Sequence, residues 1–476
     1  MLDYNGKQIA VIGMARTGIA VAEAMVNLGA RVVLYDRKPA SELAEALDVA
    51  RELGVEARVG TNEVDLTGVD LLVPSPGVPR KLAVFAEAET RGIEVVSEIE
   101  LAYRLSKAPI LAVTGTNGKT TTTVLLGRIM MADGRDTFIA GNVAGAGEKL
   151  GGESAAPSSG QPVPLVTAAA RATADSVIVA EISTFQLEWI STFRPKVAAL
   201  LNVTSDHMDR HANVEEYAAL KARIFENQGE GDYSVINAEN PVTAALAPNL
   251  RGRVLRFARL SDVEEGAFVR GNDLVVRIGG REVVACTRAD IRIPGEHNVE
   301  NVLAASSAAI AFGVKPESVA SAVREFVGVE HRLEPVATID GVRYINNSMC
   351  TNVDAAVRSV EAITDPQIVI AGGKDKGSDY TALGEAFKRM AKHVVLIGAD
   401  AGLIRAAAEK AGFSAMSSAG SMREAVAMAR ALAEPGDAVV LSPGCASFDM
   451  FNSFEHRGQV FKDAVREYEA KGSADR

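Results

Sequence analysis

The chain has 476 residues, too many for a single hydrophobic core, and its length favours about two to four domains. Hydrophobic residues make up 47% and charged residues 23%, as in an ordinary soluble globular protein. The formal net charge of -11, with no basic tail to offset it, argues against a nucleic-acid binder. The three widely spaced cysteines are typical of a reduced cytoplasmic protein, and no apolar run predicts a signal peptide or membrane insertion.

The first predicted element is a β-strand that ends in a glycine-containing turn, Gly13-Met14-Ala15-Arg16-Thr17-Gly18, before a helix. Asp36 ends the second strand, as in a dinucleotide-binding unit, but Ala15 stands where a middle glycine would let pyrophosphate approach. We therefore expect a nucleotide-like ligand rather than a redox dinucleotide. Thr17 would lie near its phosphates, and Asp36 and Arg37 near its base or sugar. The alternative is that the turn only packs the strand against the helix.

The strongest motif is Thr114-Gly115-Thr116-Asn117-Gly118-Lys119-Thr120, which lies between a predicted strand and a helix over 121–131. Glycines let backbone N–H groups wrap phosphate oxygens at a helix N-terminus. Lys119 would neutralise the β- and γ-phosphates of ATP, and the Thr120 hydroxyl would reach Mg²⁺. Val113 stands where the full Walker spacing has a glycine, so the motif is a shortened variant. The alternative is a glycine-rich turn followed by a chance Lys-Thr pair.

Two polar side chains follow the next buried strands. Glu181 closes the apolar run 177–180, and His207 follows the run 197–203. Open α/β sheets bind ligands at the carboxyl ends of their strands, so we expect Glu181 and His207 to hold Mg²⁺ beside the phosphate loop. The alternative for His207 is a surface or core histidine. Residues 151–170, rich in Gly, Ser, Ala and Pro, are predicted to be an exposed loop.

Lys221 interrupts an apolar helical stripe. Helical spacing places Val214, Tyr217, Ile224 and Phe225 on the same face as this lysine. Burial depresses the pKa of an amine, and a neutral amine can react with CO₂. The resulting carbamate would be an anionic oxygen ligand for Mg²⁺. The alternative is a lysine that snorkels to solvent.

Later in the chain, two asparagines at i and i+3, Asn298 and Asn301, share one face of a predicted helix. Capping explains one of them, and the second amide suggests a contact with adenine or phosphate. Arg332 and Lys376 are cations near predicted turns of the last domain. Each of these cations would be an ordinary surface charge without its context.

Three segments of the chain repeat a β-branched run, a glycine-containing turn and an amphipathic helix. Continuous apolar strands that alternate with helices predict parallel sheets covered on both faces. We place the domain bounds near residues 98 and 328, which gives domains over 1–98, 99–328 and 329–476.

Taken together, these segments resemble the Mur ligase family of peptidoglycan synthesis. The resemblance covers essentially the whole chain, and it is carried by Thr114 to Thr120, Gly141-Asn142, Glu181 to Glu188, Asp206 to Arg210, Lys221, His297-Asn298, His331-Arg332, Gly372-Gly373, Ser442-Pro443 and Phe454 to Gly458. All Mur and folylpolyglutamate ligases share the phosphate loop, whereas the segments at Glu181 and Asp206 point to members that add D-glutamate. The resemblance implies an N-terminal Rossmann-like domain for a UDP-sugar, a central P-loop-type ATPase with a mainly parallel sheet, and a C-terminal Rossmann-like domain for the amino acid.

The resemblance also implies a reaction and its site residues. The carboxylate of UDP-N-acetylmuramoyl-L-alanine attacks the γ-phosphate of ATP, and the amine of D-glutamate then attacks the acyl phosphate. The implied catalytic residues are Lys119, Glu181, His207 and a carbamylated Lys221, and the implied metal ligands are Thr120, Glu181, His207 and Lys221. The implied ATP contacts are Gly115, Thr116, Asn117, Gly118, Lys119, Thr120, Thr121, Asn301, Arg332 and Asn347. The implied UDP-sugar contacts are Arg16, Thr17, Asp36, Arg37, Ser75, Gly77 and Asn142. The implied amino-acid contacts are Thr351, Lys376, Ser447 and Phe454. We expect a monomer in the cytoplasm.

One stretch departs from the family pattern. Where the family usually carries Asp-Ser-Lys-Ala-Thr-Asn, this chain reads Asn347-Ser348-Met349-Cys350-Thr351-Asn352. Asn347 can still hydrogen-bond an ATP ribose, although without charge. Met349 removes a cation beside two anionic reactants, which puts the identity of the acceptor amino acid in question.

Three other functions remain open on the sequence alone. The first is a Mur-type ligase that adds a different amino acid. The second is a nicotinamide-dependent oxidoreductase built on the segment 13–36, against which Ala15 and the second phosphate loop count. The third is a catalytically weak regulatory paralogue, which Met349 and Cys350 suggest.

Overall fold

The computed structural model describes residues 3–143, 162–204 and 213–474. The chain divides into two compact units. The first unit comprises Met1–Val203, Tyr217–Thr287 and Val302–Val323, and the second comprises Thr204–Glu216, Arg288–Asn301 and Arg324–Arg476. The described residues form three sheets, of which the first two belong to the first unit and the third to the second unit.

The first sheet has five parallel strands. They are β1 (Gln8–Ile12), β2 (Arg31–Asp36), β3 (Glu56–Val59), β4 (Leu71–Pro74) and β5 (Glu94–Val95). The helices of this segment are α1 (Arg16–Asn27), α2 (Ala44–Glu52), α3 (Ala83–Thr90) and α4 (Glu98–Leu105), with a single 3-10 turn at Ala40–Glu42. The strand order β3-β2-β1-β4-β5 reverses between β1 and β4. Ligands bind at the carboxyl ends of strands at such a switch point, where the Gly13 turn and Ser75 lie.

The second sheet has nine strands in the order β14-β13-β12-β11-β10-β9-β6-β8-β7. Its strands are β6 (Ile110–Thr114), β7 (Asp136–Gly141), β8 (Ser176–Glu181), β9 (Val197–Leu200), β10 (Tyr233–Asn237), β11 (Arg253–Ala258), β12 (Gly266–Arg270), β13 (Asp273–Ile278) and β14 (Arg281–Thr287). Only the pairs that β13 makes with β12 and β14 are antiparallel. The helices in this part of the chain are α5 (Lys119–Ala132), α6 (Leu165–Arg171), α7 (Thr184–Leu187), α8 (Val214–Ala222), α9 (Pro241–Ala244), α10 (Glu296–Ala311) and α11 (Pro316–Glu325). Single 3-10 turns lie at Arg223–Phe225, Ala247–Asn249 and Arg288–Asp290.

The predicted loop over 151–170 was wrong in its last part. Helix α6 begins after Pro164, and its Leu165, Val166 and Ala168 are buried. The small residues that suggested a loop are alanines at this end, and alanine is the best helix former. Residues 151–161 of the predicted loop lie outside the described residues.

The third sheet has six strands in the order β15-β16-β20-β17-β18-β19. They are β15 (Glu334–Ile339), β16 (Val342–Asn346), β17 (Gln367–Gly372), β18 (Ala391–Ile397), β19 (Met416–Ser418) and β20 (Ala438–Leu441). Its helices are α12 (Val353–Ala362), α13 (Thr381–Met390), α14 (Ala401–Lys410), α15 (Met422–Leu432) and α16 (Phe454–Ala474). All pairs are parallel except β15 with β16, and separate apolar clusters cover the two faces. The adjacent strands β16, β20 and β17 therefore end side by side at the centre of one edge.

The prediction of an α/β fold with mainly parallel sheets is confirmed by this topology. The strands of the three sheets lie within residues 8–95, 110–287 and 334–441. The exact domain bounds near 98 and 328 stay a prediction. Among the described helices, none is both long enough and apolar enough to cross a membrane.

Candidate functional site

The segment 114–120 forms a tight loop between β6 and α5. Gly118 adopts a left-handed conformation with φ of 84° at the N-cap of α5, which favours glycine. Gly115 has φ of 154°, and a Cβ at this position would lie 3.1 Å from the Cβ of Leu201. The loop therefore leads directly into the N-terminus of a 14-residue helix, where backbone N–H groups and the helix dipole favour an anion. Helix α5 begins at Lys119, two residues before the predicted start.

Asn202, which sequence reasoning missed, holds the shape of this loop. Its backbone carbonyl accepts the N–H of Thr116 at 2.9 Å, and its Oδ1 accepts the N–H of Asn117 at 2.8 Å. Its Nδ2 donates in return to the carbonyl oxygen of Asn117 at 3.1 Å. Asn202 follows β9, and β9 pairs directly with β6. The signal in the sequence was a polar residue just past a buried strand, the same signal that identified Glu181.

Three predicted residues meet at the carboxyl ends of β7 and β8. The Thr120 hydroxyl donates to Oε2 of Glu181 at 2.7 Å, and Nδ2 of Asn142 donates to Oε1 of the same carboxylate at 3.3 Å. Thr120 and Glu181 are buried, whereas Asn142 is exposed. The Lys119 ammonium, half-buried beside them, donates to the carbonyl oxygen of Thr116 at 2.8 Å. A hydroxyl and a carboxylate are oxygen ligands of the kind that Mg²⁺ prefers, so this cluster fits the predicted metal.

The predicted burial of Lys221 is confirmed. The residue is 1% exposed, and Tyr217, Ile224 and Phe225 are buried as well. The helix ends at Ala222, however, so Ile224 and Phe225 lie in the 3-10 turn that follows and not on the predicted helical face. The Nζ of Lys221 donates to the carbonyl oxygen of Gly115 at 2.7 Å and lies 4.2 Å from the centroid of the Tyr217 ring. The lysine therefore contacts the phosphate loop itself. His207 lies outside the described residues, so its predicted role as a metal ligand stays a prediction.

Apart from Asn142, the candidate UDP-sugar residues lie near the carboxyl ends of strands of the first sheet. The Asp36 carboxylate accepts two backbone N–H groups, from Met14 at 2.8 Å and from Lys38 at 2.9 Å. The Ser75 hydroxyl donates to the carbonyl oxygen of Gly13 at 3.2 Å. Both side chains therefore shape the two turns that face this edge. Sequence reasoning predicted Asp36 near a ligand and missed this bracing of the turn.

The other candidates in this group are arranged around the same edge. Arg16 is half-buried, and its Nη2 donates to the carbonyl oxygen of Pro162 at 2.9 Å. Thr17 is half-buried, whereas Arg37 and Gly77 are exposed. Contact with a UDP-sugar stays a prediction for all of them.

Glu98 is a buried carboxyl that sequence reasoning missed. It opens α4, is 2% exposed, and its Oε1 accepts the backbone N–H of Val166 at 2.6 Å. Burial raises the pKa of Glu98 to about 7, against the smaller opposing effects of hydrogen bonds from Val166 and Gln186 and of the charge on Arg16. Between pH 4.5 and about 7, the Glu98 carboxyl is therefore mostly protonated in the folded protein and mostly ionised in the unfolded chain.

This shift predicts a pH-dependent stability with a definite sign. The folded-state pKa of Glu98 is above its unfolded value of 4.5, so the folded state binds more protons between pH 4.5 and about 7. The free energy of unfolding should therefore fall as pH rises through this window, by on the order of 3 kcal/mol. We expect Glu98→Gln to flatten that dependence in urea-unfolding curves recorded from pH 5 to 8.

The matched control is Glu89→Gln, because Glu89 is an exposed carboxylate on α3. Its unfolding curves should follow those of the wild type at each pH. An unchanged pH dependence in Glu98→Gln would contradict the assignment of this effect to Glu98.

In the second unit, the predicted pairing of Asn298 and Asn301 on one helical face is confirmed. Nδ2 of Asn301 donates to Oδ1 of Asn298 at 2.9 Å, and Nδ2 of Asn298 donates to the carbonyl oxygen of Pro294 at 2.6 Å. Burial, with repulsion from nearby Arg332 and Arg358, lowers the pKa of the adjacent His297 to about 3. The imidazole is therefore neutral at physiological pH, and the positive charge here belongs to the arginines.

Two further candidate ATP contacts lie near the start of the third sheet. Arg332 is half-buried and stands between His331 and Leu333, which have φ of 61° and 45°. Left-handed conformations are uncommon for such residues and are held only by strong surrounding contacts. One such contact is the Asn347 side chain, whose Oδ1 accepts the Leu333 N–H at 3.1 Å. Asn347 is itself buried after β16.

The four candidate acceptor residues lie on the loops that follow β16, β17 and β20 or at the start of α16. Ser447 is buried, and Thr351, Lys376 and Phe454 are half-buried. Paired backbone hydrogen bonds of 2.9 and 3.0 Å between Lys374 and Ala446 join two of these loops. The structure therefore brings the loops carrying all four residues to one edge of the sheet.

A phosphate loop with an oxygen-rich cluster, next to a Rossmann-like sheet in the same unit, defines a nucleotide-dependent α/β enzyme. Three family models match the chain: Mur ligase MurD-like, N-terminal domain over 7–97; Mur ligase middle domain over 113–309; and Mur ligase, glutamate ligase domain over 331–445. The chain belongs to the Mur ligase family. The alternative interpretation from the sequence, a nicotinamide-dependent oxidoreductase, is therefore wrong.

Curated relatives match over nearly the whole chain. UDP-N-acetylmuramoylalanine--D-glutamate ligase from Pelotomaculum thermopropionicum is 46% identical over 97% of this chain and 98% of its own length. The protein of the same name from Koribacter versatilis is 41% identical, with 98% of each chain covered. Among solved structures, UDP-N-acetylmuramate-alanine ligase from Thermotoga maritima has a TM-score of 0.59 at 17% identity, with 98% of this chain and 99% of that chain covered. A pseudomurein peptide ligase from Methanothermus fervidus has a TM-score of 0.58 at 17% identity, covering 97% and 100%. These two structures show that the fold is shared.

Proposed function

We propose that this protein is an ATP-dependent ligase of peptidoglycan synthesis that joins D-glutamate to UDP-N-acetylmuramoyl-L-alanine. The observation that carries the proposal is the phosphate loop with its Thr120–Glu181 pair, in a chain 46% identical to a relative named for this reaction. A carboxylate oxygen of the muramoyl substrate attacks the γ-phosphorus of ATP, and the bond to the β-phosphate oxygen breaks to release ADP. The amine nitrogen of D-glutamate attacks the acyl carbon, the bond to phosphate breaks, and the amine loses its proton.

The residues of the phosphate loop suit the first step. Lys119 carries a positive charge beside the helix N-terminus, where it neutralises the transferring phosphoryl group. The Thr120 hydroxyl and the Glu181 carboxylate lie next to each other and would hold Mg²⁺ through their oxygen atoms. When bound, Mg²⁺ supplies further neutralisation of the phosphate charge. His207 is the third proposed protein ligand, from the segment that resembles the D-glutamate-adding members.

We assign Lys221 as a carbamylated metal ligand. The Lys221 side chain is fully buried next to the phosphate loop, and burial in general disfavours the charged form of an amine, whose neutral form reacts with CO₂. A carbamate nitrogen keeps one N–H, so the hydrogen bond to the Gly115 carbonyl survives while two oxygens are added. The carbamate would add an anionic group beside the phosphate loop.

The remaining roles follow the family resemblance and the positions of the loops. Arg16, Thr17, Asp36, Arg37, Ser75, Gly77 and Asn142 bind the UDP-sugar substrate. Gly115 to Thr121, Asn301, Arg332 and Asn347 bind ATP, and Thr351, Lys376, Ser447 and Phe454 bind the acceptor amino acid. We infer that the enzyme acts as a monomer in the cytoplasm.

A panel of amino acids tests the proposal directly. With UDP-N-acetylmuramoyl-L-alanine and MgATP, D-glutamate should release ADP and phosphate in equal amounts, and the other amino acids should not. Release with a different amino acid would identify another Mur-type specificity. The absence of release with every acceptor would indicate the regulatory paralogue.

Met349 provides a test of acceptor recognition. The exposed Lys374 ammonium lies 3.6 Å from an oxygen of the half-buried Asp400. A solvent-accessible ion pair of this kind contributes little, so Lys374 can still be recruited by the acceptor. Lys376 supplies the other cation. We expect Met349→Lys to leave D-glutamate preferred and to lower its KM by up to about tenfold, because a charge-assisted hydrogen bond is added.

The measurement is the KM for each amino acid at saturating ATP and muramoyl substrate. Met349→Leu serves as the control, since it changes shape without adding charge. Inactivation by Met349→Lys, or a preference for a different amino acid, would show that this loop is built for another acceptor.

A further inference from the structure

Arg457 is a fully buried cation for which the reaction as described has no role. It lies in the first turn of α16 and is 0% exposed, the largest fully buried side chain of the described residues. Among the described side chains, no carboxylate oxygen lies within 4.0 Å of its guanidinium. A buried charge without an ionic partner is costly, so its retention calls for a specific role.

The contacts of Arg457 join three segments that carry candidate acceptor residues. Its Nε donates to Oγ of Ser348 at 3.0 Å, and its Nη2 donates to the Ser348 carbonyl oxygen at 2.8 Å. Its Nη1 donates to the carbonyl oxygen of Cys445 at 3.0 Å. The Ser348 hydroxyl in turn donates to the carbonyl oxygen of Phe454 at 2.7 Å. One guanidinium thus fixes the backbone beside Thr351, Ser447 and Phe454.

A fourth segment packs closely on the same group. A Cβ at Gly373 would lie 3.3 Å from Nη1 of Arg457 and 2.2 Å from the carbonyl oxygen of Ala446. Gly373 has φ of 142°, so glycine is favoured here on both grounds. This glycine opens the loop that carries Lys376. All four segments with proposed acceptor contacts, three loops and the start of α16, therefore meet at Arg457.

The charge of Arg457 is balanced mainly by dipoles. Burial lowers the pKa of its guanidinium to about 10, so the group remains charged at physiological pH. Asp449 acts on it only from beyond ion-pair distance, and Oδ2 of that carboxylate accepts the N–H of Ala399 at 2.8 Å. The positive charge of Arg457 therefore lies buried beneath these segments without a carboxylate in ion-pair contact.

We propose that Arg457 is a positioning residue for the acceptor amino acid. It ties together the three acceptor loops and the start of α16, and it supplies a buried positive charge that favours the acceptor's carboxylates. This inference rests on the proposed ligation of D-glutamate. Arg457 does not touch the acceptor, because its side chain has no exposed surface. Its planar guanidinium donates hydrogen bonds to two carbonyl oxygens and a hydroxyl at once, and a lysine ammonium cannot reproduce this geometry.

The test separates acceptor recognition from carboxylate activation. Hydroxylamine is a small nucleophile whose nitrogen attacks the acyl carbon of an acyl phosphate, and phosphate leaves to give a hydroxamate. It needs no acceptor site. In Arg457→Lys, the KM for D-glutamate should rise by about tenfold or more, because the bidentate contacts are lost. Hydroxamate formation from UDP-N-acetylmuramoyl-L-alanine and MgATP should stay within about twofold of the wild-type rate, since the phosphate loop is unchanged.

Two further variants complete the test. Arg466→Lys makes the same change at an exposed position of α16 and should leave the KM for D-glutamate unchanged. Ser348→Ala removes only the hydroxyl that links Nε of Arg457 to Phe454. It should raise the KM for D-glutamate by about threefold to tenfold. If Arg457→Lys does not fold, this KM decides whether the network of Arg457 positions the acceptor.

The outcomes are distinguishable. A wild-type enzyme that forms neither hydroxamate nor ADP would overturn the proposed function itself. If the wild type is active and the KM for D-glutamate is unchanged in the variants, the positioning role is wrong. A parallel fall in hydroxamate formation and in D-glutamate ligation would also overturn it, because Arg457 would then only support the fold.

Discussion

Lys119→Ala is expected to lower the rate of D-glutamate-dependent ADP release by about 10³-fold or more. The ammonium of Lys119 lies at the N-terminus of α5 and donates to the Thr116 carbonyl oxygen, so its charge is held over the loop that would receive the phosphates. Negative charge spreads over the transferring phosphoryl oxygens during the reaction, and a fixed cation stabilises it most in the transition state. The main effect should therefore be on kcat rather than on the KM for ATP.

Two variants make this result interpretable. Lys107→Ala removes an exposed lysine just before β6 and should leave turnover and thermal unfolding unchanged. Lys119→Arg keeps the charge but replaces a compact ammonium with a larger, planar guanidinium. Its rate of ADP release should therefore lie between those of Lys119→Ala and the wild type. Near wild-type ADP release by Lys119→Ala would remove the role of this loop in phosphoryl transfer.

The features that were predictable from the sequence depend on local spacing. The phosphate loop could be predicted because its glycines, lysine and threonine lie within seven consecutive residues between a strand and a helix. The burial of Lys221 followed from helical periodicity, because a lysine interrupted an apolar stripe. Glu181 followed from its position at the end of a buried strand, since carboxyl ends of parallel strands share one edge.

The features that were missed depend on contacts between distant parts of the chain. Asn202 contacts Asn117 across 85 positions, Glu98 contacts Val166 across 68, and Arg457 contacts Ser348 across 109. Asn202 shared one local signal with Glu181, a polar residue just past a buried strand. No short-range pattern distinguishes Glu98 or Arg457 from ordinary surface polar residues. Their importance arises from burial, which makes each polar contact costly to lose.

The error over 165–170 has a related cause. The composition of 151–170 averages a Gly- and Ser-rich half with the alanine-rich start of α6. A loop was therefore predicted for the helical end of this stretch as well. Helix α6 is stabilised by packing of Leu165 and Val166, and by Glu98 at its first turn. This tertiary contact is not visible in local composition.

Lys221→Ala is expected to reduce ligation by at least about a hundredfold, because it would remove a metal ligand and the hydrogen bond to the Gly115 carbonyl. The proposed carbamate and a bare ammonium make different predictions for chemical rescue. If the carbamate is the working group, acetate should enter the space left by the side chain and restore part of the rate. If the ammonium only holds the Gly115 carbonyl, ethylamine should restore the rate and acetate should not.

Lys221→Met provides the matched control. Methionine fills the same buried space beside Tyr217 but supplies no oxygen or nitrogen, so neither acetate nor ethylamine should rescue it. The wild-type enzyme equilibrated with ¹³C-bicarbonate should show a carbamate carbon resonance that is absent from Lys221→Met, independently of activity. Rescue of Lys221→Ala by ethylamine alone, with no carbamate resonance in the wild type, would establish Lys221 as an ammonium that braces the phosphate loop.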